Sequence, residues 1–352
     1  MRKILTIILL VILILGVLSC SPGRRVLYIF NWTDYIAPEL VRSFERQNNV
    51  RIVYDTYNSN ENMLTKLLTS NAAYDIIVPS GDHVEIMRGM GLLSKIDKSL
   101  LNNYHNLDPM ILSMSQAFDP VNEYSVPYFW GTMGFIYNTQ YLSHEEMENV
   151  SWDILGDERF NGRNVVTMLD DIREVLGSAM IFNGYDPNDA SDEALSSARE
   201  TLMRWNRNVA QFDSDSFKND VQDGTIWFGQ AYNGDALQVM EENENVGFVL
   251  PREGSTIWVD FLVIPENSEN KDLAHKFIDF LLDAKVGLTN AEWVQYATPN
   301  KATFELLPQD IQENRNIYPT DEFMRRSHLI LNIGDDVLML DEIWQELRML
   351  RN

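Results

Sequence analysis

The chain has 352 residues, 45% of them hydrophobic, with 52 acidic against 28 basic side chains and a net charge of −24. That length supports two domains with real cores, while so negative a field repels nucleic acid and draws cations into any cleft it surrounds. A single cysteine excludes an internal disulfide.

At the N-terminus Arg2 and Lys3 precede an apolar run from Ile4 to Leu18, followed by Ser19-Cys20-Ser21. The run is too short for a bilayer span, so it reads as a secretory signal. It resembles a bacterial lipoprotein signal, in which residues 1–19 are removed and Cys20 becomes the lipid-bearing first residue. An uncleaved anchor is the alternative. Either way the expected location is periplasmic or otherwise extracytoplasmic, with lipidated Cys20 holding the protein to a membrane.

From Arg25 onward strand-like and helix-like stretches alternate, as an α/β fold requires. Residues 26–31, 51–54 and 75–79 read as strands, with helices over 38–47 and 61–68 between them. This βαβαβ unit implies a parallel sheet with right-handed crossovers, whose ligands lie beyond the carboxyl ends of the strands. Trp32, Thr33 and Tyr35 stand there after the first strand, and Ser80 and Asp82 after the third. A second unit of the same kind follows, with strands at 134–137, 164–168, 226–229 and 246–250 and helices at 171–182 and 193–205. Pro127-Tyr128 and a strand over 256–265 are the candidate crossings between the two units. Helices over 271–282, 291–296 and 335–350 complete the chain, the second of them broken at Ala297-Thr298-Pro299-Asn300.

The 256–265 stretch is β-branched, aromatic and apolar except for one charge. Strand side chains alternate faces, so Trp258 and Asp260 project on the same side. An indole face beside a carboxylate suits an organic ammonium group; the alternative is a core strand whose Asp caps a turn and whose Trp fills space. If the two units face each other, Trp32, Tyr35, Tyr232, Trp258 and Tyr296 converge with Asp82, Asp171, Glu174 and Asp260. Asp171 and Glu174 are three apart at a helix start and share a face. Their spacing is also that of a capping box, and the helix dipole is expected to keep both ionised. Arg173, between them, is expected to form a salt bridge elsewhere. The five histidines show no metal-ligand spacing, and no glycine-rich phosphate loop occurs, so neither a metal nor a cofactor is expected. Paired acids with stacking Trp side chains leave a glycoside hydrolase as the enzymatic alternative, and a sugar or amino-acid receptor as the rival binding protein.

Five stretches in register carry a family likeness: Phe30-Asn31-Trp32-Thr33-Asp34-Tyr35, Tyr74-Asp75-Ile76-Ile77-Val78-Pro79-Ser80, Asp170-Asp171-Ile172-Arg173-Glu174-Val175, Trp258-Val259-Asp260 and Tyr296-Ala297-Thr298-Pro299-Asn300. By these the chain resembles the periplasmic spermidine/putrescine-binding proteins that serve polyamine ABC transporters. The resemblance implies a non-enzymatic protein of two α/β lobes with a central cleft and hinge crossings. On this division residues 20–129 with 257–300 form one lobe, and 130–256 with 301–352 the other. It further implies a polyamine ligand handed to a membrane-embedded ABC permease. Trp32, Tyr35, Trp258 and Tyr296 would box its methylenes, Asp171, Glu174 and Asp260 would pair its amines, and Thr33, Ser80 and Ser214 would add polar contacts. The chain departs from the family at Tyr232, where a Trp is usual, at Asp82, where an aromatic is common, and at Ile330, near a usual glutamine. These departures bear on which polyamine is taken.

Overall fold

The computed structural model describes residues 23–70 and 73–350. Cys20 and the expected signal lie outside the described residues. Among the described residues ten strands run in chain order: β1 Val26–Trp32, β2 Arg51–Tyr57, β3 Ile76–Ile77, β4 Ser125–Asn138, β5 Val166–Met168, β6 Val209–Phe212, β7 Phe228–Tyr232, β8 Val246–Val249, β9 Thr256–Val263 and β10 His328–Leu329. Along the sheet the order is β2-β1-β3-β9-β4-β7-β5-β6, with β10 beside β9 and β8 beside β4.

The expected parallel units are both present. β1 runs parallel to β2 and β3, and β5 runs parallel to β6 and β7. Crossings between them were expected at Pro127-Tyr128 and over 256–265; the form of the first was not. The short strand anticipated at 134–137 and the Pro127-Tyr128 segment before it are one 14-residue strand, β4, buried along its whole length. Its first half pairs with β9 and its second half with β7 and β8, all antiparallel. A proline inside such a strand would break a ladder bond, and the register indeed shifts between Pro127 and Phe129, so Pro127 sits at a bulge. β4 and β9 therefore cross between the two halves as an antiparallel pair.

Each half has its own core. Leu27, Phe44, Ile76, Val126, Phe277 and Ile278 pack in the first, and Phe135, Trp152, Leu176, Trp205 and Phe228 in the second. The helix Lys271–Leu281 buries Ala274, Phe277, Ile278 and Leu281, the stripe its 3.6-residue period predicts. The last helix, Val337–Met349, buries Leu340, Ile343 and Leu347 against the second core, while its Leu338 is 63% exposed. Leu307 and Ile317 join first-half cores. Apolar side chains within 301–352 thus reach more than one core, Leu307 the first and Leu340, Ile343 and Leu347 the second.

One helix boundary matters for the site. The helix expected over 291–296 spans Ala284–Val294, capped by the Asp283 carboxylate accepting from the amides of Lys285 at 2.9 Å and Val286 at 3.2 Å. Gln295 then takes φ 62°, a left-handed cap that turns the chain out of the helix just before Tyr296.

Candidate functional site

A cavity of about 150 Å³ opens between the two halves. The first half contributes Trp32, Thr33, Asp34 and Tyr35 from the carboxyl end of β1 and Tyr57 and Asn58 from that of β2. Asp34 adopts φ 53°, a left-handed turn that an aspartate tolerates, and this tight corner brings four consecutive residues to one wall. The second half contributes Ser214, Asp215, Lys218, Tyr232, Asp235 and Gln238. The crossing strand β9 supplies Trp258 and Asp260, and Tyr296 closes the wall.

The rings are arranged edge to face. Trp258 and Tyr296 lie 4.8 Å apart at 83°, Tyr232 and Trp258 6.0 Å apart at 88°, and Tyr35 and Tyr296 5.7 Å apart at 69°. Two glycines make this packing feasible. A Cβ on Gly131 would stand 2.5 Å from the Trp258 ring, and one on Gly234 would stand 2.6 Å from the Tyr296 ring.

Asp260 is the electrostatic centre. The residue is 5% exposed, and its carboxylate accepts two hydrogen bonds, from the Tyr35 hydroxyl at 2.8 Å and from the Ser80 hydroxyl at 2.7 Å. The Tyr128 hydroxyl donates to the Tyr35 carbonyl at 2.7 Å and itself accepts from the Asn290 amide at 2.9 Å, which fixes Tyr35 from behind. Burial pushes the Asp260 carboxyl from 3.8 up to about 7, with the two hydroxyls opposing the rise and Asp82 adding to it. A buried carboxylate with two donors but no cation beside it is suited to receive one.

Of the twelve residues singled out from sequence, eight line the cavity: Trp32, Thr33, Tyr35, Ser214, Tyr232, Trp258, Asp260 and Tyr296. Ser80 lies behind the wall, holding Asp260. The other three, Asp82, Asp171 and Glu174, are not in the lining. Asp171 is the N-cap of the helix Ile172–Phe182, accepting from the amides of Arg173 and Glu174 and from the Tyr232 hydroxyl at 3.1 Å. No capping box forms, because Glu174 turns away to accept from the Thr256 hydroxyl. Burial works against the expectation that the helix dipole keeps both acids ionised. Burial first, then Glu61, raises Asp171, and burial with Asp171 raises Glu174. Among the described residues Arg173 forms no bridge to an acid; it donates to the Leu331 carbonyl and to the Asn188 side chain, both at 2.9 Å. Burial would push Asp82 up, but His83, 3.0 Å away, and Arg173 hold it low.

Sequence reasoning missed Asp34, Tyr57, Asn58, Asp215, Lys218, Asp235 and Gln238, all in the lining. Asp34 lies inside a stretch already singled out. Lys218 and Asp235 belong to the helices Phe217–Asp223 and Asn233–Glu242, which follow β6 and β7 and carry no strong periodic signal. Among the described residues no group of three or more His, Cys, Asp or Glu side chains could hold a metal ion, and no helix is long and apolar enough to cross a membrane.

Comparison with known proteins finds relatives over nearly the whole chain. The spermidine/putrescine-binding periplasmic protein of Salmonella typhimurium is 36% identical over 329 residues, 93% of each chain. The spermidine/putrescine ABC transporter substrate-binding protein of Streptococcus pneumoniae superposes with a TM-score of 0.82 at 33% identity, covering 93% of this chain and 100% of the other. A lipoprotein of Treponema pallidum superposes with a TM-score of 0.81 at 30% identity, covering 92% and 99%. A family model described as bacterial extracellular solute-binding protein matches residues 39–319. The chain is therefore a member of the bacterial extracellular solute-binding protein family.

Proposed function

We propose that the protein binds a polyamine, putrescine or spermidine, outside the cytoplasm and delivers it to an ABC permease. The observation that carries this reading is the buried Asp260 carboxylate, set among Trp258, Tyr35 and Tyr296 in a cavity with three further acids. Rings suit methylenes and the faces of ammonium groups, and carboxylates suit their charge. Four buried methylenes supply about 3 kcal/mol at about 0.8 kcal/mol each. Micromolar binding needs about 8 kcal/mol, so the ammonium contacts must supply the rest.

In this reading Trp32, Tyr35, Tyr232, Trp258 and Tyr296 box the ligand, Asp260 takes one ammonium, and Thr33 and Ser214 add polar contacts. Ser80 acts through Asp260, Asp82 acts on Asp260 by its charge, and Asp171 and Glu174 act on the cleft from behind Tyr232. The two halves are lobes that close about β4 and β9, and the ligand favours closure only through contacts it makes better in the closed form. Residues 1–19 would act as a signal and Cys20 as the lipid-bearing anchor; the Treponema pallidum relative is itself described as a lipoprotein. Calorimetry of the purified protein against putrescine, spermidine, sugars and amino acids tests the function. Saturable heat with the amines is expected, and heat with a sugar or an amino acid alone would overturn it.

A further inference from the structure

The cavity carries a cation of its own. Among the described residues four that line the cavity are carboxylates, Asp34, Asp215, Asp235 and Asp260, and Lys218 is the one Lys or Arg in the lining. Its Nζ stands 3.4 Å from Asp235 Oδ1, and the two side chains are 28% and 21% exposed. Asp235 sits in the first turn of the helix Asn233–Glu242, next to Gly234, against which the Tyr296 ring packs. Burial raises the Asp235 carboxyl, Lys218 opposes the rise, and Asp215 and Asp34 add to it. The site therefore has two acidic poles, Asp260 and Asp235, joined by the Trp258 and Tyr296 rings in contact at 4.8 Å. One pole has no cationic side chain beside it, and the other is already paired.

We propose that Lys218 is a specificity-determining residue, a tethered ammonium that competes with the second ammonium of a diamine for Asp235. The inference rests on the polyamine reading above. A cation fixed to the same chain acts at a high effective concentration. A ligand's second ammonium must displace it, whereas a monoamine seated at Asp260 need not. Lys218 thus weakens diamines selectively.

The test is calorimetry of the purified protein with putrescine and with butylamine, for wild type, Lys218→Met, Lys218→Arg, Asp235→Asn and the Lys218→Met/Asp235→Asn double variant. Lys218→Met is expected to tighten putrescine about fivefold, the scale of a partly exposed ion pair, and to leave butylamine within about twofold. Lys218→Arg keeps the wild-type ratio of the two affinities. In the Asp235→Asn background the gain from Lys218→Met disappears, a coupling that a merely structural lysine would not produce. Lys218→Gln repeats the measurement with a polar side chain should the Met variant unfold at a lower temperature. Equal gains for both amines, or no gain for putrescine while wild type still binds it, overturn the competitor role and leave the polyamine reading standing. Absence of saturable heat with putrescine in wild type and every variant removes both.

Discussion

Replacing Asp260 by Asn separates stability from binding by driving them in opposite directions. In the folded protein this carboxyl titrates at about 7, against an ordinary value of 3.8, because burial disfavours its charge. At about 1.36 kcal/mol per pH unit, the ionised form costs the fold up to about 4 kcal/mol. The folded pKa is the higher one, so the cost is absent below pH 3.8 and complete only once the pH has risen past about 7. Asn keeps the size and an acceptor for Tyr35 or Ser80 but carries no charge. The variant should therefore melt near wild type at pH 4 and progressively above it toward pH 8, in the absence of ligand. Binding moves the other way, since a ligand ammonium loses its buried charge partner, a loss of about 2–5 kcal/mol or at least about thirtyfold in Kd. Thermal unfolding across pH 4–8, paired with putrescine titration at pH 8, measures both. A variant that is less stable than wild type at pH 8, or that binds putrescine with unchanged affinity, refutes the reasoning.

Putrescine affinity should rise from pH 5 to 8, by as much as about tenfold per unit below pH 7, because a cation needs ionised Asp260 and a proton must leave. Titrations in buffers of different ionisation heat reveal that proton, and Asp260→Asn should abolish its release. Trp258→Ala removes a ring contact of about 1–2 kcal/mol and should weaken binding less than Asp260→Asn does, by the same calorimetry. Gly131→Ala drives a methyl to 2.5 Å from the Trp258 ring; affinity should drop while circular dichroism stays that of wild type, and undiminished affinity would show that the ring has room to yield. Glu174→Gln neutralises a buried acid that burial and Asp171 already push up. Its melting temperature at pH 8 should rise, and a fall would mean that the charge stabilises the cleft.

The alternation of strands and helices, the apolar stripe of the helix Lys271–Leu281 and the shared face of Trp258 and Asp260 were all legible in the sequence. Each depends on spacing within a single element, and the backbone geometry of helix and strand fixes that spacing whatever the element packs against. Strong local rules also located Asp171 at its N-cap. The same rules erred where two local explanations competed, as for Glu174, whose position fits a capping box but whose side chain found Thr256 instead.

Which elements face one another was decided only by the tertiary structure. Asp260 meets Tyr35 across 225 residues of chain and Ser80 across 180, and no local pattern encodes such encounters. The fusion of 125–138 into one strand came from pairing with β9 on one half and β7 on the other. That pairing placed Asp34, Asp215 and Asp235 in the cavity wall and left Asp171 and Glu174 behind Tyr232. Residue type and periodicity set what a side chain can do, but burial and partners are properties of surfaces brought together by folding, and they determine which carboxylate is free to hold a cation.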